Sequence, residues 1–215
     1  MKFDFRFNSV ALVLCTLLLA ILYFALTHVS VLATLNVHFI ENFQAILLLI
    51  CVPFTWFYMK PKTLTEQKKW FWLWAMAWWL MFFGRSISWG RDYFPEVPHL
   101  YFRMISIVVI APVVFMLFSS KLRAEIKYKF QSVKFPFWYL IIAVTSLLFA
   151  DSVEHHRFID TWLFNSAINP DIVEELYELP FILALFCSAF YFMQKDKKSV
   201  VKISIPHLES RQLSQ

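Results

Sequence analysis

Charged side chains are scarce in this sequence. They make up 16% of 215 residues, where a soluble domain carries about 25%. Apolar runs recur along the whole length and mean hydropathy is +0.59, so a soluble domain with a single anchor is excluded. Cysteine is sparse too. Cys15, Cys51 and Cys187 all fall inside apolar runs and no CxxC occurs, which excludes a disulfide framework and leaves three small hydrophobes. Gly84 and Gly90 are the only glycines. There is no internal repeat or low-complexity tract to suggest a duplicated transporter fold. The interiors of the apolar runs lack histidine, which removes the facing ligands that haem requires.

What is present is a series of membrane-length segments. A window of about 19 residues places spans at Val10–Thr27, Glu41–Met59, Trp70–Ser88, Phe102–Ser119, Pro136–Ser152 and Glu174–Met193. The expected fold is an all-α integral membrane protein, a bundle of about six transmembrane helices. Residues 1–198 form a single transmembrane domain, and 199–215 a short polar cytoplasmic tail. Val31-Leu32-Ala33 would suit a signal peptidase, but the first apolar stretch is too long for a usual signal core and is read as a retained helix. Pro53, Pro112 and Pro180 fall within spans, where neighbouring helices can satisfy the freed carbonyls.

Lysine and arginine set the orientation. Sixteen of the 20 lie at the two termini and in alternate loops. Only Arg85, Arg91, Arg103 and Arg157 lie on the other side. By the positive-inside rule both termini are cytoplasmic, in a bacterial-type inner (plasma) membrane. The net charge of +5 therefore reflects topology, not nucleic-acid binding. Acidic residues are enriched on the opposite face: Glu41, Asp92, Glu96, Asp151, Glu154, Asp160, Asp171, Glu174, Glu175 and Glu178. Acids contribute little to topology, so their enrichment points to function.

Depth along the helices sharpens that point. At 1.5 Å per residue, Gln44, Arg85, Arg103, Asp151 and Glu178 all lie about 24–27 Å from the cytoplasmic boundary, inside a hydrocarbon core of about 30 Å. Five helices thus contribute a polar group to one layer of the outer leaflet. Such groups cost on the order of 1–3 kcal/mol each unless they pair or meet water, so they are expected to face inward. Structural pairing of the arginines with Glu178, Glu175 or Asp151, or snorkelling to the interface, would serve equally well. The two glycines enclose Arg85-Ser86-Ile87-Ser88-Trp89 and are followed by Arg91, and glycine there would let the helix break beside a ligand. The expected ligand-binding set is Arg85, Ser88, Arg91, Arg103, Asp151, Glu175 and Glu178. An ordinary helix terminus with an interfacial tryptophan is the plainer reading.

Asp151, Glu154 and His155 share one helical face, as do Glu174 and Glu178. Like charges at that spacing need an arginine, a metal, a shared proton or a cationic ligand. Asp151, His155, His156, Glu174 and Glu178 would suit a divalent metal such as zinc. Trp70, Trp72, Trp74, Trp78 and Trp79 read as lipid-facing or packing residues. Ser152-Val153-Glu154-His155-His156 contains an S-x3-H that resembles the motif of ceramidase-type hydrolases. Glu174-Glu175 resembles the glutamate pair of CAAX-type membrane proteases, with Leu179 where those have arginine and with the motifs in reversed order. Neither likeness extends beyond a handful of residues, and no family assignment follows. The leading expectation is a membrane protein whose outer-leaflet cavity binds a lipid headgroup or small polar ligand. Arg85, Arg91 and Arg103 would contact an anionic group, and Asp151, Glu175 and Glu178 would orient them. The alternatives are a metal-dependent hydrolase acting on a lipid or lipid-linked substrate, with Glu174 or Glu175 activating water, and a proton-coupled transporter with the acids as relay.

Overall fold

Aliphatic side chains cover the outside of this molecule, and polar ones are buried in it. Leu12, Val13, Leu49, Ile50, Ile107 and Val108 are exposed, whereas Gln44, Thr55, Ser146 and Ser188 are buried. An apolar surface of this extent would aggregate in water and is matched to lipid. The computed structural model describes residues 2–27, 36–91, 93–154 and 170–212.

The described chain is all-α apart from one pair of very short strands. Helix α1 spans Ser9–Leu26, α2 Val37–Met59, α3 Glu66–Ser86 and α4 His99–Phe115. Helix α5 spans Ser120–Ser132, α6 Phe137–Glu154 and α7 Pro170–Gln212. Asparagines start the first two. The Asn8 side chain accepts a hydrogen bond from the Ala11 amide at 2.9 Å, and Asn36 caps α2 by accepting from the His38 amide at 3.0 Å. Each satisfies an amide that the helix leaves without a partner. Strands β1 (Lys2–Asp4) and β2 (Lys134–Pro136) pair in parallel, with Phe3 opposite Phe135.

Four helical segments are long and apolar enough to cross a membrane: Ser9–Leu26, Val37–Thr63, His99–Phe118 and Asp171–Lys198. The fifth apolar helix, Phe137–Val153, is shorter. Helix α3 is long enough at 21 residues, but its apolar content is largely tryptophan and phenylalanine and its first turn carries Glu66, Lys68 and Lys69. Helix α7 continues to Gln212, so a helix occupies ground expected to be a polar tail. Helix α5 lies in what the sequence presents as a basic loop.

The packing has two centres. Helices α1, α6 and α7 meet through small residues, with Ala11, Ala143 and Ala184 in one cluster and Ala25 and Ala150 in another. Small side chains let membrane helices approach closely, which is how they gain packing energy where lipid offers no hydrophobic drive. Helix α3 packs against α2, α4 and α5. Helix α2 joins the two groups, and Leu48, Cys51, Trp79 and Ile182 form the seam between α2, α3 and α7.

Candidate functional site

At the end of the bundle where α2 and α7 begin and α3 ends, polar residues from three helices meet in its interior. Glu178 on α7 is a buried carboxylate, and its Oε1 lies 3.0 Å from Nη2 of Arg85 on α3. The two ends of this pair differ: the Glu178 side chain is 12% exposed and that of Arg85 52%. One helical turn earlier on α7 sits Glu175. The fully buried Gln44 donates through Nε2 to its carboxylate Oε2 at 2.9 Å and to its carbonyl at 2.8 Å. Glu175 also lies close enough to Glu178, Glu41 and Glu174 to interact with them electrostatically. Helical spacing explains the convergence. Glu41 and Gln44 share a face of α2, and Glu175 and Glu178 share a face of α7.

Above these residues opens a polar cavity of about 210 Å³, lined by His38, Glu41, Asn42, Ser86, Ile87 and Tyr93. His38 Nδ1 is 2.9 Å from Glu41 Oε2, Ser86 Oγ donates to the Glu41 carbonyl at 3.3 Å, and the Tyr93 hydroxyl donates to Asn42. These bonds tie the start of α2 to the turn that follows α3. Glu41 is common to both regions: it lines the cavity and belongs to the carboxylate group beneath.

The turn after α3 breaks the helix, as the glycine pair suggests. Ser88, Trp89 and Gly90 take consecutive positive φ values of 47°, 59° and 93°. Left-handed backbone is costly for a residue as bulky as tryptophan. Its six-membered ring packs against Gly84, where a Cβ would come within 2.6 Å of Trp89 Cε3. Gly84 is therefore a packing glycine, and only Gly90 serves the turn through its backbone. The Gly90 and Arg91 amides are used inside the turn, donating to the carbonyls of Ile87 and Ser88.

Among the residues expected at the site, the structure brings together Arg85, Glu175 and Glu178. Ser88 is half-buried in the turn, and Arg91 follows it with an exposed side chain. Arg103 is exposed near the start of α4, and among the described residues no ion pair joins it to Glu178 or Glu175. Asp151 is half-buried close to the end of α6. For the metal set, His155 and His156 lie outside the described residues. Among the described ones no group of three His, Cys, Asp or Glu side chains is placed to hold an ion, so Asp151, Glu174 and Glu178 do not make a centre by themselves.

Reasoning from depth missed a second polar cluster at the opposite end of the bundle. Lys129 on α5 is 3% exposed. Its Nζ lies 2.7 Å from Asp196 Oδ2 on α7 and 3.3 Å from Glu125 Oε1 on its own helix. Trp72 Nε1 donates to the same Asp196 oxygen at 2.9 Å, and Lys68 approaches the other at 3.9 Å. The Lys129 ammonium also sits 4.5 Å from the centre of the Phe71 ring, a favourable cation–π placement. Trp72, expected to pack or face lipid, is buried and structural. The signal available in sequence was the Glu125–Lys129 spacing of four on a helix-forming stretch, but Asp196 is 67 residues away.

Compared with known proteins, this chain has no match: no family model fits it, and neither a curated protein nor a solved structure resembles it.

Proposed function

We propose that this chain is a six-span, bacterial-type inner-membrane protein with cytoplasmic termini, and that its outer-leaflet site binds a lipid headgroup or small polar ligand through Arg85. The observation that carries this reading is the asymmetry of the Arg85–Glu178 pair. Glu178 is spent on orientation from within the bundle, while half of the Arg85 side chain remains exposed. A guanidinium has five N–H donors, so one carboxylate contact leaves donors for a phosphate or carboxylate. A pair built for stability alone would gain more from an apolar replacement. Six spans follow if α3 and α6 also cross. That supposition places Arg85 and Asp151 at outer ends and every lysine on the inner side, in accord with the positive-inside distribution.

The test is lipid retention by protein purified in mild detergent, read by native mass spectrometry. Wild type should carry bound phospholipid, and Arg85→Ala should lose it. Because Arg85→Ala strands a buried carboxylate, the Arg85→Ala/Glu178→Ala double variant is the decisive companion. It removes both charges, should keep its thermal transition, and should still bind no lipid. Retention by that folded double variant would defeat the proposal.

A further inference from the structure

We infer that the ligand of the outer-leaflet site carries a primary ammonium beside its anionic group, and that Gln44, Glu175 and Glu41 receive that ammonium. This rests on the headgroup reading above and specifies its chemistry. The first observation is an unpartnered acceptor. Gln44 is fully buried, and its Oε1 has no hydrogen-bond partner among the described residues. Its orientation cannot simply be reversed. The two groups facing Nε2 are the carbonyl and carboxylate of Glu175, both acceptors, so the amide must present its NH2 to them and leave Oε1 over. A buried acceptor without a donor is costly.

The second observation is charge. Glu178 is matched by Arg85. Among the described residues the polar partner of the Glu175 side chain is Gln44, a neutral amide, and its charged neighbours are other carboxylates. Orphan acceptor and unmatched carboxylate lie together, one turn beneath Glu41, which lines the cavity of about 210 Å³. Both deficits are answered by one group, a cation with several N–H donors. Glu178, which holds Arg85, lies one helical turn from Glu175, on the order of 5 Å between their positions on α7, so an anion on Arg85 and an ammonium on Glu175 would sit at a comparable spacing. A two-carbon spacer bridges that separation, so the fitting chemistry is a phosphate joined to a primary amine, as in phosphoethanolamine or its lipids.

Three phospholipids with identical acyl chains separate the possibilities when titrated into delipidated protein in detergent, with binding read by native mass spectrometry. Phosphatidylethanolamine has both groups, phosphatidylcholine has a cation without N–H donors, and phosphatidylglycerol has no amine. The expected result is that phosphatidylethanolamine binds about tenfold or more tightly than either of the others, a difference of about 1.4 kcal/mol. Glu175→Gln should bring it to the level of phosphatidylglycerol. Glu41→Gln, at the half-exposed cavity wall, should erode the preference in the same direction and covers the case in which the deeper variant misfolds. Arg85→Ala should weaken all three. Competition by free O-phosphoethanolamine would identify a soluble ligand, and its failure to compete a lipid one. Equal binding of the three lipids, unchanged by Glu175→Gln or Glu41→Gln but lost in Arg85→Ala, overturns the ammonium while leaving the anion site standing. No binding of any of them removes both readings.

Discussion

Lys129 shows what one buried charge does in this protein. It is enclosed by Asp196, Glu125 and the Phe71 ring, with Lys68 at the edge. Here two lysines face two carboxylates, so the charges brought together by these contacts match. Removing one member breaks that balance. Lys129→Ala should cost about 3–5 kcal/mol, the range for stranding a buried partner, and lower the thermal transition measured in detergent. Lys129→Met combined with Glu125→Gln keeps the volume, removes one charge of each sign and should cost less. Equal losses in the two variants would show that packing, not charge balance, sets the value of Lys129. Gly84 makes a complementary point about space. Gly84→Ala drives a methyl into the Trp89 ring and should destabilise by about 1–3 kcal/mol, as overpacking does. An unchanged thermal transition would mean that the turn relaxes freely.

Among the elements, the N-terminal strand is held by partners far along the sequence. Strand β1 pairs with β2, Tyr191 on α7 donates to Asp4 Oδ2 at 2.9 Å, and Trp138 donates to the Phe5 carbonyl at 3.0 Å. The Tyr191 hydrogen bond is the main influence holding the Asp4 carboxyl below its ordinary value of 3.8, assisted by Arg6 and Lys134. A carboxylate depressed in the folded state contributes stability that is fully present above its unfolded pKa and is lost as pH falls through the lower folded value. Stability should therefore fall on acidification below about 3.8, and Asp4→Asn should flatten that part of the pH profile. Denaturation curves between neutral and acid pH measure it directly. Whether α3 crosses the membrane is an element-scale question as well. In a cysteine-free background, Thr65→Cys should react with an impermeant thiol reagent only from the cytoplasm, and Glu96→Cys only from outside. Labelling of both from one face would mean that α3 does not span.

Across the whole molecule, α7 carries a polar contact at each end of its membrane-length part. Glu178 reaches Arg85 on α3, and Asp196 reaches Lys129 on α5 and Trp72 on α3. The two sites are 18 residues apart, about 27 Å along a helix. Between them lies an apolar crevice of about 350 Å³, walled by Trp78, Trp79 and Phe82 of α3, Leu140 of α6 and Leu185 and Phe192 of α7. Helix α3 is thus fastened to the rest of the bundle by polar contacts above and below, with aromatic packing in the middle. Polar contacts separated by that distance share no neighbours. Stability losses from Arg85→Ala and Lys129→Ala should therefore add to within about 0.5 kcal/mol. Measured coupling well above that would indicate that α3 moves as one rigid lever between the two ends.

Membrane class and the long apolar helices were legible in the sequence alone, whereas the pairing of Arg85 with Glu178, among the several carboxylates within its reach by depth, was decided by the tertiary structure. The legible features follow from one-dimensional quantities, namely the length of apolar runs, the alternation of lysine-rich loops and residue depth at 1.5 Å per step. Azimuth was not among those quantities. Gln44, Arg85, Arg103 and Asp151 share a height by counting, yet Gln44 is fully buried while Arg103 is exposed. Which helices touch decides such differences, and no periodicity within one helix reports on its neighbours. The α5 cluster needed the tertiary structure for the same reason: Lys129 resembles any other lysine of its basic stretch until Asp196, 67 residues along, is folded beneath it.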